Sequence, residues 1–285
     1  LNGMTMEEAF ALIDCIPDCR IPDGAPVHYG HRTLENGDIY FVSNQSDRTI
    51  EVTPEFRVTG KQPELWSAAT GDIRKLPAFE QKGGATAVPM KLAPYESAFV
   101  VFFDAAGQPS DGGVEANYPT PVQIARLDGP WTVDFLDKVR DPKEPVVFEA
   151  LTDWTTNSDD LIKYYSGTAV YKSSFKLDAA PDGNHILIDL GDFVAMARVK
   201  VNGQDAGGLW TAPYTLDITD LVKAGDNEVE IEVVNTWLNR LIGDLNLPEA
   251  KRTTWAAINS WKADSPLQKA GLFGPVVIES VDYAE

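Results

Sequence analysis

The chain has 285 residues, 44% of them hydrophobic, and its 24 Lys plus Arg stand against 43 Asp plus Glu for a formal net charge of -19. So acidic a surface repels phosphate backbones and anionic membranes, which argues against nucleic acid or a membrane as partner, and no apolar run approaches the roughly 20 residues of a membrane helix. At roughly 100–200 residues per domain, the length predicts two domains, each able to bury its own core.

The amino terminus, LNGMTMEEAF, lacks the basic and long apolar regions of a signal peptide and does not begin with Met, as expected of a processed chain or of a piece cut from something longer. Thr5 followed by Glu8 fits a capping box, and Met6, Ala9, Phe10 and Ile13 recur at helical spacing, which predicts one short amphipathic helix over residues 5 to 14. Cys15 and Cys19, with Pro17 between them, form either a local disulfide or two free thiols. The stretch IPDCRIPDGAP is then a connector, so that residues 1–26 make a helix and its exit.

Residues 27–104 read as a small antiparallel sandwich. Its strand signals are DIYFVS, TIEVTPEFRV, PELWSAATGDIRKL, ATAVPMKL and SAFVVFF, with Pro54 marking a break and Thr70-Gly71-Asp72 a turn. Residues 105–124 collect Gly, Pro, Ser and Asp and read as a linker.

From residue 125 to 285 strand signals return at short spacing. In YYSGTAVYKSSFKL, residues Ala169, Tyr171, Phe175 and Leu177 share one face and Lys172, Ser174 and Lys176 the other, the pattern of a half-buried strand. Tyr171 is expected in the core, while Tyr165 is open to either reading. Ala197, Val199 and Val201 alternate with charge up to the hairpin signal Asn202-Gly203, and Val229, Ile231 and Val233 alternate with glutamates. The fold class is therefore all-β: two antiparallel β-sandwich domains, the second of the jelly-roll kind, with a short N-terminal helix.

The segments LIDLGDFVAMARVKVNGQDAGGLWTAPYTLDITDLVKAGDNEVEIEVVN and GLFGPVVIESV, with the strand at 164–177, resemble the galactose-binding-like jelly roll of family 2 glycoside hydrolases. The matching positions are Asn202, Gly203, Gly207, Asp217, Thr219, Gly225 and Asn227. PELWSAATGDI, YESAFVVF, LDGPWTVDF, NTWLNRLIGDLNLPEAKRTTW and KADSPLQKAGLFGPV resemble, in order, the carboxy-terminal β-domain region of family 106 glycoside hydrolases, the α-L-rhamnosidases. The resemblance runs from about Val27 onward. It implies a large catalytic barrel ahead of these β-domains, of which residues 5 to 14 are the only candidate remnant, and no position here matches the family's catalytic glutamates. The implied role is non-catalytic support of a carbohydrate active site, with carbohydrate and a missing barrel domain as partners and a periplasmic or extracellular location. A free-standing carbohydrate-binding protein is the alternative, and a hydrolase using two sandwich-borne carboxylates a third reading.

The strongest site signal lies in the tail, where Trp237, Asn239, Arg240, Trp255, Asn259, Trp261 and Lys262 combine flat aromatic faces with amide and cationic donors, as a neutral polyol site would. Docking of this segment across the sandwich or on the barrel is the leading reading and direct sugar contact the second. Trp210 lies at the end of a hairpin loop, where jelly-roll domains often meet a ligand or a neighbour, and is open to that reading or to a structural one. His28 and His31, three apart, lack the further ligands of a metal site, and His31 with Arg32 faces substrate as an extrapolation from the barrel. No cofactor is expected, with calcium at the Asp-rich turns DLGD and KAGDNE as the one candidate ion. The absence of G-x-S-x-G, phosphate-cradling glycine loops and HExxH removes the usual support for serine-hydrolase, nucleotide and zinc-peptidase readings.

Overall fold

The computed structural model describes residues 3–13, 15–136, 139–258 and 260–283, and the chain divides into two compact units. The first runs to Thr120 and includes Thr211–Pro213, while the second comprises Pro121–Trp210 and Tyr214–Asp282. Among the described residues every strand ladder is antiparallel and the helices are short, so the all-β expectation is met.

The expected N-terminal helix forms over Met6–Ala11. Thr5 caps it: its hydroxyl accepts from Glu8 N at 3.2 Å while the Glu8 carboxylate accepts from Thr5 N at 2.8 Å. The first unit is built on a five-stranded sheet in the spatial order Val27–Thr33, Asp38–Asn44, Ser97–Ala105, Lys61–Ser67, Ile73–Lys75. The alternation read from the sequence drives this packing, since Tyr40, Val42, Val100 and Phe102 turn to the core beside Phe56, Met90 and Leu92 while Phe41 turns out. A four-stranded sheet (Cys19–Arg20, Glu55–Phe56, Ala85–Ala87, Glu80–Lys82) and the pair Met90–Leu92 with Ile50–Val52 complete it.

The segment expected as a linker, 105–124, is structured instead. The last strand of the first unit reaches Ala105, a helix forms over Gly113–Asn117, and the first strand of the second unit already begins at Val122. Asn117 is fully buried: its Oδ1 accepts from Ala78 N at 2.7 Å and its Nδ2 donates to the carbonyls of Ala78 and Pro89 at 2.8 and 2.9 Å. A low-hydrophobicity stretch is thus pinned by one polar side chain that satisfies three backbone groups, which composition alone does not reveal.

The second unit is a sandwich of a six-stranded and a four-stranded sheet. The six run in the order Val146–Phe148, Trp131–Phe135, Thr168–Leu177, Gly225–Val234, Met196–Val201, Gln204–Leu209, and the four in the order Val122–Leu127, Val276–Val281, His185–Asp189, Thr215–Asp217. The strands Thr168–Leu177 and Gly225–Val234 pair over their whole length. Ala169, Tyr171, Phe175 and Leu177 are buried as expected, opposite exposed Lys172, Ser174 and Lys176. Tyr171 anchors the core, accepting from the indole N–H of Trp154 at 2.6 Å and from Leu272 N at 3.3 Å. Tyr165 also proves fully buried, with its hydroxyl donating to Thr168 O at 2.7 Å. The hairpin at Asn202-Gly203 has φ of 51° and 79°, the left-handed geometry of a type I′ turn, which asparagine and glycine tolerate best.

Candidate functional site

The site is built where the chain leaves the long strand Gly225–Val234. Asn235 stitches it to the segment before the neighbouring strand, accepting from Gly167 N at 2.9 Å and donating to Tyr165 O at 2.8 Å. Ser166 extends the seam, its hydroxyl donating to Thr236 O at 2.9 Å and accepting from Arg240 N at 3.3 Å. The chain then enters the helix Leu238–Leu245, with Trp237 at its N-cap.

That helix was not legible as one because its buried face is largely polar. Asn239, Arg240 and Asp244 are all buried, and each is satisfied by hydrogen bonds. Asn239 holds Gln268, donating to its carbonyl at 2.7 Å and accepting from its N–H at 2.9 Å. Arg240 donates from Nε to Tyr164 O at 3.1 Å and from Nη2 to Arg140 O at 2.7 Å. Gly243 leaves room for the Tyr164 ring, which would lie 2.6 Å from any added Cβ. Asp244 accepts from Arg140 Nη1 at 2.7 Å on one oxygen and from the N–H groups of Thr253 and Thr254, at 2.6 and 2.7 Å, on the other. Burial pushes the Asp244 carboxyl up, but the amides and hydroxyls of Thr253 and Thr254 outweigh it and hold the group below the ordinary carboxylate range.

These anchors shape a cavity of about 480 Å³ lined by Leu136, Val139, Ser166, Gly167, Thr168, Trp237, Arg240, Thr253, Thr254 and Trp255. Two of its indoles are open to solvent, Trp237 at 67% and Trp255 at 82% exposure. The arrangement offers aromatic faces, hydroxyls and backbone groups. No described lining residue is Asp or Glu, so among the described residues the pocket lacks the carboxylate pair of glycoside hydrolysis.

Of the residues the sequence singled out, the structure brings Trp237, Arg240 and Trp255 to one cavity. Asn239 ties the helix to Gln268, Trp210 (57% exposed) follows the strand Gln204–Leu209, and Trp261 is 44% exposed; none of these lines the cavity. Asn259 lies outside the described residues. In the first unit His31 is nearly buried, stacked on Tyr40 at 4.0 Å between centroids, with Nε2 at 3.0 Å from Asp38 Oδ1 and Nδ1 at 3.3 Å from Asp18 Oδ2. It clamps the connector, while Arg32 is exposed on the strand Val27–Thr33. Sequence reasoning missed Ser166, Thr253 and Thr254. The run of two threonines beside a tryptophan was the available signal, but nothing local links it to Asp244. Cys15 and Cys19 are free thiols, and burial pushes the Cys19 thiol up to about 12. The Asp-rich turns are closed by internal bonds, Asp189 to Gly191 N at 2.8 Å and Asn227 to Lys223 N at 2.9 Å. Among the described residues no three His, Cys, Asp or Glu side chains converge on a metal position.

With this geometry in place, the comparisons with known proteins all reach glycoside hydrolases. The sequence signature of glycoside hydrolase family 106, α-L-rhamnosidase, matches residues 1–81. A solved rhamnosidase from Novosphingobium sp. PP1Y is 37% identical, with a TM-score of 0.88, over 96% of this chain and 26% of that one. A protein of Formosa agariphila provisionally named a β-glucuronidase is 35% identical across 56% of this chain and 16% of its own length. The chain therefore spans well under a third of either relative. Fold and matches together place it among the relatives of the glycoside hydrolases. More narrowly, its first 81 residues match the family 106 signature, and nearly its whole length is similar to part of a rhamnosidase.

Proposed function

We propose that this chain is the non-catalytic β-sandwich region of a family 106-like glycoside hydrolase of α-L-rhamnosidase type, and that it braces and partly lines a carbohydrate active site carried on a catalytic domain of the same polypeptide. The enzyme would work in the periplasm or outside the cell on plant or microbial glycans. The observation that carries the reading is the match over 96% of this chain to 26% of a rhamnosidase, which leaves most of that relative's length for other parts. A second support is the exposed apolar character of the first residues, where Met6, Leu12 and Ile13 are 68%, 66% and 71% exposed, as side chains that meet a further domain would be. Turnover of an aryl α-L-rhamnoside by the product of the whole gene, set beside this chain alone, tests the proposal. Hydrolysis by the former and none by the latter is expected, and turnover by this chain alone would overturn its non-catalytic role.

A second reading, a carbohydrate-binding protein, is favoured by the cavity that gathers Trp237 and Trp255. The two readings are compatible where the region both supports a catalytic domain and holds glycan.

A further inference from the structure

We infer that the cavity between Trp237 and Trp255 is a binding subsite for a neutral pyranose ring of a glycan, an inference that rests on the carbohydrate reading above and gives it a place in the second unit. Indoles of this size are ordinarily the most profitable side chains to bury, yet two that line one cavity are left 67% and 82% exposed. They are not loose. Trp237 starts the helix Leu238–Leu245, its carbonyl accepting from Leu241 N at 3.1 Å, and Trp255 follows the two threonines fixed on buried Asp244. Aromatic faces held by a buried polar frame are pre-organised for a flat, weakly polar partner such as the C–H face of a sugar ring.

The polar lining suits hydroxyl groups better than a charge. The Thr253 and Thr254 hydroxyls donate to Asp244 at 3.1 and 2.9 Å, so their remaining lone pairs accept from a sugar O–H. Among the described residues neither the Trp237 nor the Trp255 indole N–H has a protein partner, so each can donate to a sugar oxygen. Arg240 already gives Nε to Tyr164 O and Nη2 to Arg140 O, which makes it a pin of the frame rather than a free cation for an acidic sugar. A volume of about 480 Å³ falls within the roughly 300–1,000 Å³ of small-ligand sites and holds one ring with part of its neighbour.

The test titrates the chain with methyl α-L-rhamnopyranoside, methyl β-D-glucopyranoside, methyl β-D-galactopyranoside and methyl β-D-glucuronide, and with a panel of neutral oligosaccharides, following tryptophan fluorescence and heat. Saturable binding of a neutral sugar, weakened at least about tenfold in both Trp237→Ala and Trp255→Ala and unchanged in Trp210→Ala, is the expected result. Trp255→Phe keeps an aromatic face and should retain part of the affinity. The inference is overturned by no saturable binding to any probe, by binding that survives both alanine variants with an unchanged melting temperature, or by binding seen in this chain but lost in the whole polypeptide, which would mark the indoles as a surface for another domain. Rhamnoside turnover by the whole gene product is independent of these outcomes, so a failed subsite and a failed hydrolase assignment give different results.

Discussion

Thr254 donates both its backbone N–H, at 2.7 Å, and its hydroxyl, at 2.9 Å, to a single oxygen of the Asp244 carboxylate. Thr253 repeats the pair at 2.6 and 3.1 Å, and Arg140 holds the other oxygen at 2.7 Å. One buried carboxylate thereby ties the helix Leu238–Leu245 to the segment that presents Trp255. Asp244→Ala leaves buried amides and Arg140 without their acceptor, so it should cost about 3 kcal/mol of unfolding free energy, read as a lowered urea midpoint, and should weaken glycan binding along with it.

The same carboxylate gives stability a pH dependence. Its folded pKa lies below the unfolded value of about 3.9, so it stabilises the fold above that value, and the contribution is lost as pH falls through the lower folded pKa. Denaturant midpoints of the native chain and Asp244→Asn should therefore be farthest apart near neutral pH and converge in strong acid. A gap that stays constant down to the acid range would remove the carboxylate's charge from the explanation.

Asn117→Ala distinguishes a structured connector from a flexible one. The side chain satisfies three backbone groups in a fully buried position, so its loss should destabilise the first unit by about 2–4 kcal/mol in thermal or urea unfolding. An unchanged transition would restore the linker that the composition of 105–124 suggests.

Tyr171→Phe removes the acceptor shared by the Trp154 indole and Leu272 N while leaving the ring in place. A loss of about 1–3 kcal/mol, with sugar affinity untouched, is expected. A change in affinity without a change in stability would move Tyr171 from core to site.

His31→Ala should act as a structural substitution too. The ring packs on Tyr40 and bridges Asp18 and Asp38, so the first unit should lose about 1–2 kcal/mol while glycan binding in the second unit stays as it was.

Much of the architecture was written in two-residue periodicity. The strand Thr168–Leu177, the Asn202-Gly203 hairpin and the alternation of Val229, Ile231 and Val233 with glutamates needed only local pattern, because each strand buries one face. The candidate site was half legible: composition flagged Trp237, Arg240 and Trp255, and the fold brought those three to one cavity. The helix bearing Arg240 and Asp244 escaped notice because burial of polar side chains inverts the usual apolar stripe, and the role of Asp244 depends on threonines nine and ten residues away. The contacts of His31 were not legible either: its neighbours across the sheet, Tyr40 and Asp38, are brought to it by strand pairing. Long-range hydrogen bonds of this kind leave no periodic trace.

The proposal that this region supports a catalytic domain in one polypeptide is tested most directly by comparing the product of the whole gene with a version lacking these 285 residues. Deletion should lower both the melting temperature and the kcat/KM for an aryl α-L-rhamnoside. A truncated enzyme that melts and turns over like the complete one would contradict it.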